Sequence, residues 1–136
     1  MRHLRSAVAA ATVLVPLVCA PAASAEPPPP PPYVDHVEWA KWGDLSSLRV
    51  YPTPAGRQAS TVATAALVNQ AWAEVLALSP DADLPGMWDQ FVCHWEFAER
   101  GAPGKVSWNL EPWRPEVDQT TLLATGCNPG GTEEPF

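Results

Sequence analysis

The stretch KVSWNLEPWRP, residues 105–115, combines two tryptophans, two prolines and three charged side chains in eleven positions. Val106, Trp108 and Leu110 alternate with polar residues, and this period of two predicts a β-strand over 105–110. Pro112 lacks a backbone donor and ends the strand. The stretch is therefore either a rigid structural segment or a strand whose polar face lines a site.

Two further strands and two helices are predicted upstream. Segments 33–42 and 47–53 are rich in β-branched and aromatic residues and are separated by the turn signal Gly43–Asp44, which indicates an antiparallel hairpin. Apolar residues at helical spacing predict a helix from Ser60, its expected N-cap, to Ser79.

Residues 87–100 predict the second helix, which Gly101 ends. A strand over 90–97 stays open as an alternative, because its aromatic residues also alternate. The segment 120–125, TTLLAT, predicts a short last strand. The expected fold is a single small α+β domain with an N-terminal hairpin, two helices, a C-terminal strand pair and one disulfide.

Residues 1–25 have the three parts of a secretory signal peptide. Arg2 and Arg5 precede an uncharged stretch that is shorter than the roughly 20 apolar residues of a membrane span, and Ala-Ser-Ala at 23–25 fits a cleavage site. We expect cleavage after Ala25 and a secreted or cell-envelope location. The alternatives are an uncleaved anchor and a lipoprotein acylated at Cys19, which Val18 disfavours.

The segment 26–33 is a proline-rich linker whose six consecutive prolines, 27–32, favour the polyproline II conformation. This run spans roughly 19 Å. It is either a stiff spacer or a ligand for a proline-binding module. Residues 34–136 then suffice for one domain.

The chain after residue 25 is acidic, with six Lys and Arg against fifteen Asp and Glu, a formal net charge of −9. Phosphate backbones and anionic lipid surfaces repel such a chain, so we expect neither nucleic-acid nor membrane partners. The sequence lacks the standard phosphate-binding, hydrolase and zinc motifs, and we expect no cofactor, no metal and a monomer.

Two cysteines remain after signal removal, Cys93 and Cys127, and an oxidising compartment favours a disulfide between them. A Cys93–His94 dyad is disfavoured because adjacent helical residues do not face each other. A zinc site on Cys93, His94 and Cys127 would lack the paired C-x-x-C spacing.

The polar face of the 105–110 strand carries the candidate site. His94 as base and Glu111 as the residue that orients it would form a catalytic pair, with Lys105, Asn109 or Arg114 binding an anionic ligand. The alternative is structural: Glu111 pairs with Arg114, and His94 is an ordinary helix residue.

Two other segments offer candidate sites, one for calcium and one for a protease. Asp81 and Asp83 offer carboxylates to Ca²⁺, but DADLPG does not continue as an EF-hand loop. The segment YPTPAGR, 51–57, would suit a protease inhibitor if Arg57 were exposed on a rigid loop.

The segments QFVCHWEFA (90–98), KVSWNLEPWRP (105–115) and GCNP (126–129), with SLRVYPTPAGR (47–57) upstream, resemble a secreted actinobacterial family, domain of unknown function 2599. The resemblance covers roughly 34–130. It implies export and one disulfide between Cys93 and Cys127, and it assigns no activity. We therefore expect an extracellular or cell-envelope binding module, with a small secreted hydrolase or toxin using His94 and Glu111 as the alternative.

Overall fold

The computed structural model describes residue 13 and residues 15–62 and 64–131. Most of the predicted charged and apolar regions of the signal peptide, Arg2 and Arg5 included, and residues 132–136 lie outside these ranges. The elements, in chain order, are β1 Val34–Trp42, β2 Leu45–Pro52, α1 Pro54–Ser60, α2 Ala65–Leu78, a 3₁₀ turn Pro80–Ala82, α3 Met87–Gly101, β3 Trp108–Leu110 and α4 Gln119–Ala124. The predicted α+β class is confirmed.

The three strands form one antiparallel sheet in the order β1-β2-β3. The predicted hairpin is confirmed: β1 pairs with β2 across the turn at Gly43, whose φ of +59° suits glycine. On the other side of β2, Leu48 pairs with Leu110 and Val50 with Trp108. The strand predicted at 105–110 is thus shorter than expected, and Val106 is exposed.

The core lies between the sheet and the helices α2 and α3. Leu48, Val50 and Leu110 are fully buried beneath the aromatic side chains of α3. Aromatic rings run through this core in edge-to-face or tilted contacts, which add to the energy of burial. The pairs are Trp95–Trp108 at 6.0 Å, Phe91–Trp95 at 6.2 Å, Trp72–Phe91 at 5.3 Å and Trp72–Trp88 at 5.8 Å between ring centroids.

The helix predicted from Ser60 to Ser79 begins later, at Ala65, so Ser60 as its N-cap is wrong, and a separate helix, α1, precedes it. Thr53 caps α1, because its Oγ1 accepts a hydrogen bond of 2.9 Å from the Gly56 N–H and Pro54 occupies the first helical turn. Ser60 is the last residue of α1, and α2 begins after Thr64. Gly56 also packs against the Tyr33 carbonyl, where a Cβ would collide.

The last predicted strand is also wrong, because residues 119–124 form α4. The Asp118 side chain accepts a hydrogen bond of 2.8 Å from the Thr121 N–H and caps this helix. Leu122 is buried beside Cys93 and Cys127 in a small second apolar cluster. Among the described residues, the sheet consequently has three strands, and the predicted C-terminal strand pair is not formed. The strand alternative for 90–97 is wrong as well, since these residues lie within α3.

The disulfide between Cys93 and Cys127 is confirmed, with Cα atoms 5.7 Å apart. It joins α3 to the turn that follows α4, rather than to a strand. Gly126, with a φ of +61°, adopts the left-handed conformation that ends α4, and Cys127 follows it with a φ of +68°.

The end of the proline run is bonded to the domain. Tyr33 Oη donates to the Pro29 carbonyl at 3.0 Å, and Thr53 Oγ1 donates to the Pro32 carbonyl at 2.8 Å. Glu74 of α2 accepts hydrogen bonds from the N–H groups of Tyr33 and Val34. Among the described residues, no helix has the length and apolar character needed to cross a membrane.

Candidate functional site

Glu111 lies at the centre of a buried polar network. Its side chain is fully buried, and each carboxylate oxygen accepts a hydrogen bond of 2.7 Å, one from Ser47 Oγ and one from Arg114 Nε. Arg114 is also buried, and its Nη1 donates to the carbonyls of Pro129 and Gly131. The guanidinium therefore links the segment after the disulfide to the segment that follows β3.

Gln90 of α3 connects His94 to this network. The Gln90 side chain makes two 2.9 Å hydrogen bonds to the backbone of Glu111, donating to its carbonyl and accepting from its N–H. The backbone carbonyl of Gln90 lies 2.8 Å from Nδ1 of His94. Sequence reasoning missed Gln90. Its position one helical turn before His94, on the same side of α3, was the available signal.

The other predicted ligand-binding residues do not line an open surface. Asn109 is buried and its Oδ1 accepts a hydrogen bond of 2.7 Å from Ser107. Lys105 is half-buried, and its carbonyl accepts a hydrogen bond from Arg57. The structure thus gathers Glu111, Arg114 and, through Gln90, His94.

This network has the properties of a structural core rather than of a reactive centre. An acid–base group must reach a proton on the substrate, yet His94 is 3% exposed and Glu111 0%. Both Glu111 oxygens are occupied by groups from the protein itself. The arrangement satisfies a buried charge and cross-links β2, α3 and the segments that follow β3 and α4.

Arg57 lacks the setting required of a protease-binding residue. It lies in α1, where Nη1 pairs with Glu99 at 2.5 Å and Nη2 donates to the Lys105 carbonyl at 2.6 Å. Its side chain is 23% exposed. The YPTPAGR segment is therefore the end of β2 followed by the start of a helix, and not a protruding loop.

The sequence suggests two metal sites, one for zinc and one for calcium, and each includes side chains that bond to other parts of the protein. Cys93 and Cys127 have no thiolate to offer because they form the disulfide. The Ser79 hydroxyl donates to Asp81 and lowers the pKa of that carboxyl, and Trp39 Nε1 lies 3.4 Å away. Within residues 15–62 and 64–131, no cluster of three or more His, Cys, Asp or Glu side chains is arranged to hold a metal ion.

A groove of about 480 Å³ lies elsewhere, between α2, α3 and the segment 117–123. We call it the α2–α3–α4 groove. Its described lining contains none of the candidate catalytic or ligand-binding residues predicted from the sequence, although the disulfide residue Cys93 is part of it. The apolar part of its lining includes Val68, Trp88, Val92, Phe97, Leu122 and Leu123.

The rim of this groove keeps large apolar side chains in contact with solvent. Trp88 is 36% exposed and Leu123 is 48% exposed. Two carboxylates, those of Asp89 and Glu96, are also part of the lining. The volume falls within the range of about 300–1,000 Å³ typical of small-ligand pockets. This part of the surface therefore has the shape and composition of a binding site.

Residues 34–130 match the family described as "Protein of unknown function (DUF2599)". The chain belongs to this family. It is 63% identical over 103 residues to uncharacterized proteins of Mycobacterium bovis and Mycobacterium tuberculosis, covering 76% of this chain and 70% of theirs. An uncharacterized protein of Mycobacterium leprae is 47% identical over 101 residues, covering 74% of this chain and 82% of its own length. No solved structure matches the chain.

The segments that carry the resemblance to DUF2599 have an evident structural role. Residues 90–98 supply Gln90, Cys93 and His94, and residues 105–115 supply Glu111 and Arg114. Residues 126–129 supply the second cysteine and the carbonyl of Pro129 that Arg114 binds. The most recognisable motifs of the sequence therefore build the buried network and the disulfide, and most of the groove is built by other residues.

Proposed function

We propose that this DUF2599 domain is a non-catalytic binding module that acts outside the cytoplasm or in the cell envelope. Its ligand occupies the α2–α3–α4 groove. The observation that carries the proposal is the groove's half-exposed apolar rim, formed by Trp88 and Leu123 around a concavity of about 480 Å³. Concave apolar sites with a few polar groups are the common form of small-ligand sites.

Location outside the cytoplasm rests on two features. The first 25 residues have the pattern of a signal peptide, and the domain contains a disulfide, which persists in oxidising compartments. The polyproline run would separate the domain from its point of export.

The hydrolase or toxin alternative has less support. It requires His94 and Glu111 to meet a substrate, and both side chains are buried in hydrogen bonds that stabilise the fold. The protease-inhibitor alternative requires an exposed Arg57, whose guanidinium is instead bonded to Glu99 and to the Lys105 carbonyl.

A pair of matched variants tests the binding proposal. Leu123 lies on the groove rim, whereas Leu78, 50% exposed, lies outside the lining. The domain is titrated with a library of small apolar and aromatic fragments, and ¹H–¹⁵N spectra identify those that shift the resonances of Trp88 and its neighbours. We expect Leu123→Ala to weaken such fragments about five- to tenfold through lost apolar contact.

Leu78→Ala is the control and should leave the fragment affinities unchanged. A screen in which no fragment perturbs the groove would contradict the proposal. So would equal effects of the two substitutions, because the affinity would then not depend on the rim.

A further inference from the structure

The charges of the α2–α3–α4 groove all have one sign. The fifteen described residues that line it include the carboxylates of Asp89 and Glu96 and no Lys, Arg or His. The domain as a whole is also acidic, so the long-range field attracts cations toward this surface. An anionic ligand would find no cationic partner among the lining residues.

The two carboxylates lie on one side of α3. Residues seven apart in a helix differ by only about 20° in direction, and two turns of helix separate them by about 10 Å. Val92 and Cys93 lie between them on the same side. An apolar surface is thereby flanked at both ends by negative charge.

Neither carboxylate is neutralised within the part of the chain that the structure describes. Asp89 and Glu96 form no hydrogen bond or ion pair there, unlike Glu74, Glu99 and Glu111. Asp89 has an independent reason for its position, because an acidic residue in the first turn of α3 favours the helix dipole. Glu96 lies in the middle of the helix, half-buried against apolar neighbours, where the helix dipole does not favour a carboxylate.

We infer that the ligand of the groove is a small cationic amphiphile, with an apolar body beside Trp88 and Leu123 and an ammonium or guanidinium group at Glu96. This inference rests on the proposed binding function. A half-buried carboxylate in an apolar setting loses hydration, and a ligand cation offsets that loss as it binds. The groove volume suits a small molecule, whereas a docked protein would bury a face of roughly 800 Å².

Three probes of equal length test the ligand's charge: 4-phenylbutylamine, 4-phenylbutanol and 4-phenylbutyrate. Each is titrated into the disulfide-bonded domain at low ionic strength near pH 7, and Kd is measured from the ¹H–¹⁵N shifts of groove residues. We expect the amine to bind about three- to tenfold more tightly than the alcohol, and the carboxylate to bind most weakly. Salt of about 0.5 M should reduce the difference.

Glu96→Gln removes the charge and preserves the shape, so the amine should then bind about as weakly as the alcohol. Asp83→Asn is the control, because it removes one charge at an exposed position outside the groove. In Asp83→Asn, the amine should still bind more tightly than the alcohol.

The outcomes separate the two proposals. Groove shifts of equal strength for amine and alcohol would overturn the charge inference and leave the binding function standing. An amine preference that persists unchanged in Glu96→Gln would also overturn it. If none of the probes or of the library fragments perturbs the groove, the binding function itself fails.

Discussion

The two sides of α3 present opposite uses of polar residues. One side contributes Gln90 and His94 to the buried network, where the polar atoms of Glu111 and Gln90 bond to other parts of the fold. The adjoining side contributes Asp89 and Glu96 to the groove, where the carboxylates have no bonding partner among the described residues. The dense polar residues of the network thus bond mainly to the fold itself, whereas the carboxylates of the groove remain available to a ligand. This difference is why the proposed ligand site lies in the groove.

Breaking the buried network should produce the largest effect. Arg114→Ala leaves the Glu111 carboxylate buried without its countercharge, and removing one partner of such a pair costs about 3–5 kcal/mol in the free energy of unfolding. Urea unfolding measures this change. Arg100→Ala, at the exposed end of α3, is the control and should change stability by less than about 0.5 kcal/mol.

A loss of less than about 1 kcal/mol for Arg114→Ala would mean that Glu111 regains water easily. The network would then be accessible, and the hydrolase hypothesis with His94 and Glu111 would deserve renewed attention. If Arg114→Ala does not fold, Arg114→Lys replaces it in the urea experiment. Lysine keeps the positive charge but loses the guanidinium geometry, so the expected loss in the free energy of unfolding is smaller.

The disulfide starts from α3, between the buried network and the groove. Its removal should give the second-largest loss of stability. The bridge spans 34 residues of sequence, for which chain entropy gives a stabilisation of about 3.5–4 kcal/mol. The double variant Cys93→Ser/Cys127→Ser should lower the free energy of unfolding by about this amount, measured in denaturant. Amide exchange should increase first in α4, which the bridge anchors to α3. Equal exchange increases in α4 and in the β1–β2 hairpin would contradict this local role.

The smallest expected effect is a pH dependence at the groove wall. The Thr121 N–H donates to Asp118, and this bond lowers the pKa of the Asp118 carboxyl. A lowered pKa means that the cap stabilises α4 fully above the ordinary Asp pKa and is lost as the pH falls through the folded-state value. The protection of the α4 amides, the intrinsic exchange rate at each pH divided by the observed rate, should therefore fall below about pH 4.

Asp118→Asn retains an oxygen acceptor at the N-cap and removes the titrating group. In this variant, the acid-induced fall in the protection of the α4 amides should disappear. An unchanged fall would assign the pH dependence to another group.

Local sequence patterns predicted those elements whose signals are themselves local. The Gly43–Asp44 turn between two β-rich segments gave the hairpin, and the apolar spacing of 87–100 gave α3. Helix α1 was not predicted, because Thr53 falls at the end of the predicted strand 47–53, whereas its side chain caps a helix that begins at Pro54. The predicted N-cap Ser60 is the last residue of α1, and α2 begins at Ala65. The strand predicted for TTLLAT is wrong because Asp118, just before this segment, supplies an N-cap, which is the signal of a helix start.

The site was harder to predict than the fold, for a topological reason. The alternation of 105–110 indicates two faces of a strand, but it contains no information on what covers the second face. The partners of the buried pair come from distant parts of the chain: Ser47 donates to Glu111, and Arg114 donates to the Pro129 carbonyl. The groove combines Val68, Trp88 and Leu123, which no single periodic segment contains.

The contact between Trp72 and Trp88, at 5.8 Å and 62°, gives the domain an internal optical probe. Two indoles this close couple their electronic transitions, and the circular dichroism of such a pair depends on the angle between the rings. Trp88 lies on the groove rim while Trp72 packs against Phe91 of the core. A ligand that turns the Trp88 ring would thus alter the ultraviolet spectrum of the unlabelled protein, and occupancy could be followed without any dye.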